Sequence, residues 1–132
     1  MRIIEVKTQN KEELADITAR VQEEISSSGI EDGLCVVFVP HTTAGITINE
    51  NADPSVKEDL LMTMRRIVPD SLRFQHLEGN SPAHIKSTLI GCSEQLLVEN
   101  GRLVLGTWQG IYFCEFDGPR HRDVFVNLLS EK

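Results

Sequence analysis

Histidines are the residues of this 132-residue chain best suited to chemistry. His41 ends an apolar run and opens the polar segment His-Thr-Thr-Ala-Gly, and His76 and His84 bracket Glu78 and Asn80. Imidazoles bind divalent metals and exchange protons near neutral pH. The alternative for each ring is an ordinary polar group that hydrogen-bonds to nearby loop carbonyls.

Two chemical roles are open for these rings. A catalytic zinc ion needs three protein ligands and one open position, and His41, His76 and His84 could supply the three. The His-x7-His spacing of the last two is not a recognised metal motif. General acid–base catalysis by one histidine is the other role. The candidate cofactor is therefore a divalent metal, zinc or magnesium.

Other polar groups are suited to binding a small anion. Arg120 and Arg122 follow a Gly-Pro turn and could clamp a phosphate or carboxylate bidentately. The hydroxyl of Thr43 could add a neutral hydrogen bond. Trp108, the single tryptophan, either covers the core or walls a pocket for a planar ligand. No Ser-His-Asp spacing, P-loop or dinucleotide motif is present.

Composition excludes several classes of function. The net charge of −7 disfavours broad binding to nucleic acid or to an anionic membrane. The longest apolar run, from Leu34 to Pro40, is too short to cross a bilayer. Glu5 interrupts the N-terminus where a signal peptide would stay apolar, so we expect a cytoplasmic protein. Three scattered cysteines argue against a disulfide framework. The length predicts one domain, residues 1–132.

The pattern of elements predicts an α+β fold. An Asn10–Glu13 capping box and the apolar residues that follow it predict a first helix that ends at Gly29. Asp53-Pro54 starts a second helix, and a short third helix begins near residue 81. Asn100-Gly101 predicts a hairpin. The predicted strands are residues 2–7, 34–39, 46–50, 95–99, 102–105, 109–116 and 123–129. Successive late strands favour a mixed or antiparallel β-sandwich with two or three helices.

Several motifs together resemble the YjbQ-like family. The most specific is the segment from Ser93 to Ile111, with Gly-Thr-Trp-Gln at residues 106–109. Four further motifs match the family in the order in which they occur along the chain. They are residues 41–54, which begin with His-Thr-Thr-Ala-Gly, then His-Leu-Glu-Gly-Asn at 76–80, Ala-His-Ile-Lys-Ser at 83–87 and Asp-Gly-Pro-Arg at 117–120. The resemblance covers nearly the whole chain.

This resemblance implies a jelly-roll-like sandwich that assembles as a homotrimer, with a polar site near the subunit interface. It also implies the activity called secondary thiamine-phosphate synthase, which joins a pyrimidine-methyl diphosphate to a thiazole phosphate and releases pyrophosphate. On this basis we expect catalytic roles for His41, His84 and Glu50. The expected metal ligands are His41, His76 and His84. The expected substrate-binding residues are Arg120, Arg122, Lys86, Thr43, Asn80 and Trp108.

Two other functions are compatible with the same residues. The first is a binding module for a small phosphorylated metabolite, without significant catalysis. The second is a metal-dependent hydrolase, which would lose its activity on chelation. In each case the expected partners are the chain itself, as a homotrimer, and a small phosphorylated molecule, with no nucleic acid and no membrane.

Overall fold

Antiparallel strands in two sheets, together with three helices, form the fold in a computed structural model that describes residues 1–132. The α+β class expected from the sequence is confirmed. The strands are β1 (Arg2–Lys7), β2 (Glu13–Asp16), β3 (Gly33–Phe38), β4 (Ala44–Glu50), β5 (Ser93–Glu99), β6 (Arg102–Leu103), β7 (Gln109–Glu115) and β8 (His121–Ser130). The helices are α1 (Thr18–Ser28), α2 (Pro54–Ile67) and α3 (Ser81–Ile90).

The main core lies between the two sheets. The larger sheet has the order β1-β8-β3-β5-β6 and the smaller has the order β2-β7-β4. Alternate residues of the larger sheet point inward and meet Ile46 and Phe113 of the smaller sheet and Val21 and Ile25 of α1. This alternation places one face of the larger sheet in the core and leaves the other uncovered.

A second apolar cluster covers the other face of the smaller sheet. Tyr112, Cys114 and Phe116 pack there with Ala83 of α3, and Leu60 of α2 lies against them. Every residue of β7 after Gln109 is buried, because this strand carries core on both of its faces. A continuous apolar run is the pattern expected of such a strand. No helix is long and apolar enough to span a bilayer.

The predicted start of the first helix is wrong. Residues 13–16 form β2, which pairs with β7, and α1 begins only at Thr18. The Glu13 carboxylate does accept hydrogen bonds from the backbone N–H groups of Gln9 and Asn10, at 2.6 and 2.9 Å. One of the two capping-box hydrogen bonds is therefore made, from the Asn10 N–H to the Glu13 carboxylate, but it closes a turn before a strand. The helix ends as predicted, with Gly29 in the left-handed region at φ 78°.

The last two long strands belong to different sheets. The Asn100-Gly101 hairpin is present, with positive φ at both residues, and it joins β5 to β6. However, β7 pairs with β2 and β4, whereas β8 pairs with β1 and β3. The segment 116–120 must therefore cross from one sheet to the other, and it contains a cis Gly118-Pro119 bond. This crossing places polar residues at one end of the sandwich.

Candidate ligand-binding cleft

A polar cleft of about 420 Å³ opens at that end of the sandwich. Three segments line it: residues 40–43, which follow β3; residues 76–84, which lead into α3; and residues 117–122, which connect β7 to β8. No hydrophobic side chain lines it. The strand ends and the start of α3 thus bring together three segments that are far apart in the sequence.

His41 is held by the backbone of the neighbouring strand. Its Nε2 lies 3.0 Å from the Asp123 nitrogen and 3.1 Å from the Asp123 carbonyl oxygen. Burial, reinforced by the Arg122 charge, lowers the pKa of His41 below 6.5 even though the Asp123 carbonyl opposes this. A neutral ring accepts the Asp123 N–H at Nε2 and carries its own proton on Nδ1. The structure therefore favours a neutral His41 at pH 7.

His76 and His84 both line the cleft, and their rings contact each other. Their ring centroids are 5.3 Å apart, and the rings meet edge to face at 88°. Glu78 is near this pair, with its Oε1 4.0 Å from His76 Nε2. His41 lines the same cleft, but no three His, Cys, Asp or Glu side chains converge as metal ligands. Because this arrangement does not fit a metal ion as it stands, the centre at these histidines remains a prediction that requires side-chain movement.

Arg120 and Asn80 meet on the carboxylate of Asp117. Arg120 Nη2 and Asn80 Nδ2 both donate to Asp117 Oδ2, at 3.1 and 2.9 Å, and Arg120 Nε donates to the Asp117 carbonyl at 2.7 Å. Burial acts to raise the pKa of Asp117, but the hydrogen bonds from Asn80 and Arg120 and the arginine charges lower it below 3.8. Asn80 Oδ1 is buried without a partner. The Arg120 side chain stays about half exposed.

Beneath the cleft lies a buried ion pair between Glu115 and Arg122. Glu115 is completely buried and Arg122 is 5% exposed. Arg122 is one of the substrate-binding residues expected from the sequence, whereas Glu115 is not among the expected site residues. The available signal was a carboxylate inside the apolar run 109–116, since a charge in a buried strand requires a partner. The buried hydroxyl of Thr43 accepts a hydrogen bond from Arg122 Nη2 at 2.9 Å.

Lys86 is outside the cleft, although it is close in sequence to His84. Its ammonium group is buried and forms an ion pair with the Glu12 carboxylate. Both residues line a separate cavity of about 140 Å³, which Asn80 and Asp117 divide from the cleft. Within this chain Lys86 is therefore committed to Glu12 and does not face the space where the other predicted binding residues meet.

Glu50 and Trp108 lie at the opposite end of the smaller sheet. Ala44 pairs with Glu115 at the cleft end, whereas Glu50 pairs with Gln109 six residues further along. At about 3.4 Å per residue, this separates the two ends by roughly 20 Å. Trp108 is 62% exposed there. Within one chain, neither residue joins the histidines.

Comparison with known proteins places these features in a family. The family model described as "UPF0047 protein YjbQ-like" matches residues 2–131. A UPF0047 protein of Methanocaldococcus jannaschii is 54% identical, covering 97% of this chain and 93% of its own length. The UPF0047 protein YugU of Bacillus subtilis is 48% identical, covering 98% of this chain and 99% of its own length.

Solved structures agree with this relationship. A crystal structure of an uncharacterised YjbQ/UPF0047 family protein from Clostridium acetobutylicum superposes with a TM-score of 0.95 at 53% identity, covering 98% of this chain and all of that one. A protein of unknown function from Sulfolobus solfataricus gives a TM-score of 0.94 at 38% identity, with 98% and 96% covered. The fold and the sequence matches agree: the chain belongs to the YjbQ-like family, UPF0047, a family of unknown function.

Proposed function

We propose that the cleft binds a small phosphorylated molecule and catalyses a transfer of the thiamine-phosphate synthase type. In that reaction a pyrimidine-methyl diphosphate is joined to a thiazole phosphate and pyrophosphate is released. The observation that supports it is the combination of two arginines with three imidazoles in one cleft without hydrophobic lining. Guanidinium groups are suited to the oxygens of phosphate esters, and imidazoles are suited to proton transfer.

The chemistry requires stabilisation of the leaving group. The thiazole nitrogen forms a bond to the methylene carbon while the bond from that carbon to the diphosphate oxygen breaks, so negative charge develops on pyrophosphate. Arg120 and Arg122 would stabilise that charge. His84 would donate a proton to the departing diphosphate. A neutral His41, whose Nε2 already accepts the Asp123 N–H, would donate its Nδ1–H to an oxygen of the bound group.

A binding module is the second candidate, and the lining of the cleft favours it. A pyrimidine ring is planar and apolar on its faces, and ligand sites normally present apolar or aromatic walls to such a ring. Within one chain this cleft offers only imidazole rings, because the larger indole ring of Trp108 lies at the far end of the sheet. Under this alternative the protein binds the phosphate group of a metabolite and releases it unchanged.

Turnover and binding together distinguish the two candidates. His84→Ala, purified from a host that lacks its own synthase, should lose about 10²-fold or more in turnover, the usual contribution of a positioned acid. The matched control is His121→Ala, because His121 is exposed and does not line the cleft. Unchanged turnover in His84→Ala would remove His84 from the mechanism. Tight calorimetric binding of thiamine phosphate without turnover by the wild type would favour the binding module.

A homotrimer is part of the proposal, and an uncovered sheet face supports it. On the outer face of the larger sheet, strand register aligns Ile3 with Phe125 and Phe125 with Phe38. Four residues further along each strand, Leu129 and Leu97 flank Leu34, and the row between carries Val36 with Asn127 and Gln95. Large contiguous apolar patches are uncommon on monomers and mark interaction surfaces. In such an assembly, Glu50 and Trp108 could contribute to a cleft only from a neighbouring subunit.

A further inference from the structure

Glu115 is the centre of the buried hydrogen-bond network beneath the cleft. Its Oε1 accepts from Thr8 Oγ1 at 2.8 Å and from Arg122 Nε at 2.9 Å. Its Oε2 accepts from the backbone N–H of Asp117 at 3.0 Å and from Arg122 Nη2. All these contacts lie in the interior, because Glu115 has no exposed surface. Glu115 itself does not line the cleft.

The arrangement divides the Arg122 guanidinium group into two functional edges. The Nε and Nη2 edge donates to Glu115, and Nη2 also donates to Thr43 Oγ1. Nη1 makes no hydrogen bond within the chain. An unpartnered Nη1 is not among the buried polar atoms that lack a partner, a set that contains only Asn80 Oδ1, so Nη1 has contact with solvent. Arg122 also lines the cleft. A single buried carboxylate therefore holds one edge of the arginine, and the other edge has no partner within the chain.

The same network joins residues next to the ends of three strands: Thr8 after β1, Thr43 before β4 and Asp117 after β7. Asp117 is attached through its N–H to Glu115, and Thr43 is attached through its hydroxyl to Arg122. Thr8 completes the set, because its Oγ1 accepts the backbone N–H of Arg120 at 2.8 Å while donating to Glu115. Two cleft arginines thus depend on one carboxylate, Arg122 directly and Arg120 through Thr8 and the Asp117 turn.

A buried ion pair of this kind is poorly explained by stability alone. Desolvation of two charges offsets most of their attraction, and apolar replacements are often as stable. We propose that Glu115 is a positioning residue that holds the free edge of Arg122 toward an anionic ligand, so that removing its negative charge weakens anion binding. The inference deepens the proposed function and rests on it. A purely Coulombic role predicts the opposite, since loss of a nearby negative charge would tighten the binding of an anion.

Calorimetry with inorganic pyrophosphate on the full chain tests the direction of this effect. Glu115→Gln keeps the shape of the side chain but replaces one acceptor with a donor facing Arg122, so we expect affinity to fall about tenfold or more. In an Arg122→Met background the same substitution should cause no further loss, because the two residues act as one unit. Equal or tighter pyrophosphate binding by a folded Glu115→Gln protein would overturn the proposal. So would a double variant whose loss of affinity equals the sum of the losses of the two single variants.

A second variant covers the case in which Glu115→Gln does not fold. Arg122→Lys retains the positive charge but cannot make a bidentate contact and also present a free edge. Positioning predicts about a tenfold loss of pyrophosphate affinity here as well, whereas charge alone predicts no change. Unchanged affinity in Arg122→Lys would also overturn the proposal.

Hydrogen exchange separates failure of this inference from failure of the proposed function. If the wild type binds no pyrophosphate, the proposed function fails, and exchange of the Asp117 amide still tests positioning. We expect that amide to exchange about tenfold faster in Glu115→Gln, because the carboxylate that accepts its N–H is replaced by a neutral amide with a single acceptor oxygen, while the Ile46 amide in the core keeps its wild-type rate. Equal protection of Asp117 in the two proteins would show that Glu115 does not hold this turn.

Discussion

Chemistry in the cleft depends on residues whose charge is set by their neighbours. His41 is kept neutral by burial and by Arg122. Glu115 and Asp117 are kept ionised by hydrogen bonds and arginine charges that outweigh their burial. All three pKa values are lowered, and perturbed pKa values cluster at functional sites. Each shift has a pH dependence whose sign follows from its direction.

The His41 prediction concerns its own titration. Its midpoint in two-dimensional NMR should lie below 6.5, so the ring should be neutral throughout the physiological range. Binding of pyrophosphate should raise that midpoint, because a nearby anion stabilises the imidazolium form. A free-protein midpoint above 6.5 would contradict the placement of His41 between Arg122 and the Asp123 backbone.

The lowered pKa values of Glu115 and Asp117 predict that the folded protein loses stability in acid. Their pKa values in the folded chain are lowered from 4.5 for Glu115 and 3.8 for Asp117. Stability from such groups is complete above those ordinary values and is lost as pH falls through the lowered folded values. Urea unfolding should therefore show a free energy that decreases below about pH 4.5. Asp117→Asn should flatten that decrease, whereas the exposed Glu131→Gln should not.

At the scale of elements, the position of α3 relative to β4 decides where His84 lies. A Cβ on Gly45 would lie 2.7 Å from the backbone oxygen of Gly91, immediately after α3. The same backbone oxygen accepts the Ile46 N–H at 3.1 Å, and Ser87 Oγ donates to the Ala44 carbonyl at 2.6 Å. The helix is therefore attached directly to the strand, with no space for an intervening side chain.

Gly45→Ala should consequently destabilise the fold and disturb the cleft. The backbone of Gly91 must move to admit a methyl group, and overpacking of this kind costs about 1–3 kcal/mol in the free energy of unfolding. Urea titration measures that cost, and the NMR shifts of His76 and His84 should change with it. Gly106→Ala is the matched control, because there the nearest atom is the flexible Gln109 side-chain end at 3.3 Å. Equal stability of the two variants would contradict the close packing.

At the scale of the whole molecule, one face of the larger sheet is left uncovered in the single chain. Its apolar residues include Leu97 and Leu129, which are 63% and 52% exposed in the single chain. The opposite side of the fold is different, because α2 and α3 cover the smaller sheet there. A protein with net charge −7 remains soluble with such a face only if the face is covered or small.

Leu97→Glu should therefore dissociate the proposed trimer. A charge buried within an apolar interface is left without a partner and costs several kcal/mol, so sedimentation at micromolar concentration should shift from trimer to monomer. Leu77→Glu is the control, since Leu77 is fully exposed in the loop before α3 and outside this face. A wild-type protein that sediments as a monomer would contradict the assembly itself.

Local structure was predictable because it depends on short-range interactions. Asp53 caps α2 through its hydrogen bond to the Ser55 N–H, and Pro54 occupies the first turn as expected. Asn100 adopts positive φ in the predicted hairpin. The failure at Glu13 is informative, because its hydrogen bonds are local and present, while pairing with β7 decided that a strand follows.

The sequence by itself determined the family, the α+β class and the segments that carry the cleft histidines and Arg120, because these follow from residue types and short-range order. Only the tertiary structure decided which polar residues meet. Strand pairing between distant segments buried Glu115 beneath Arg122, directed Lys86 to Glu12 and placed Trp108 at the far end of the sheet. Sheet membership is a long-range property that depends on which faces can be buried together, and no local pattern encodes it.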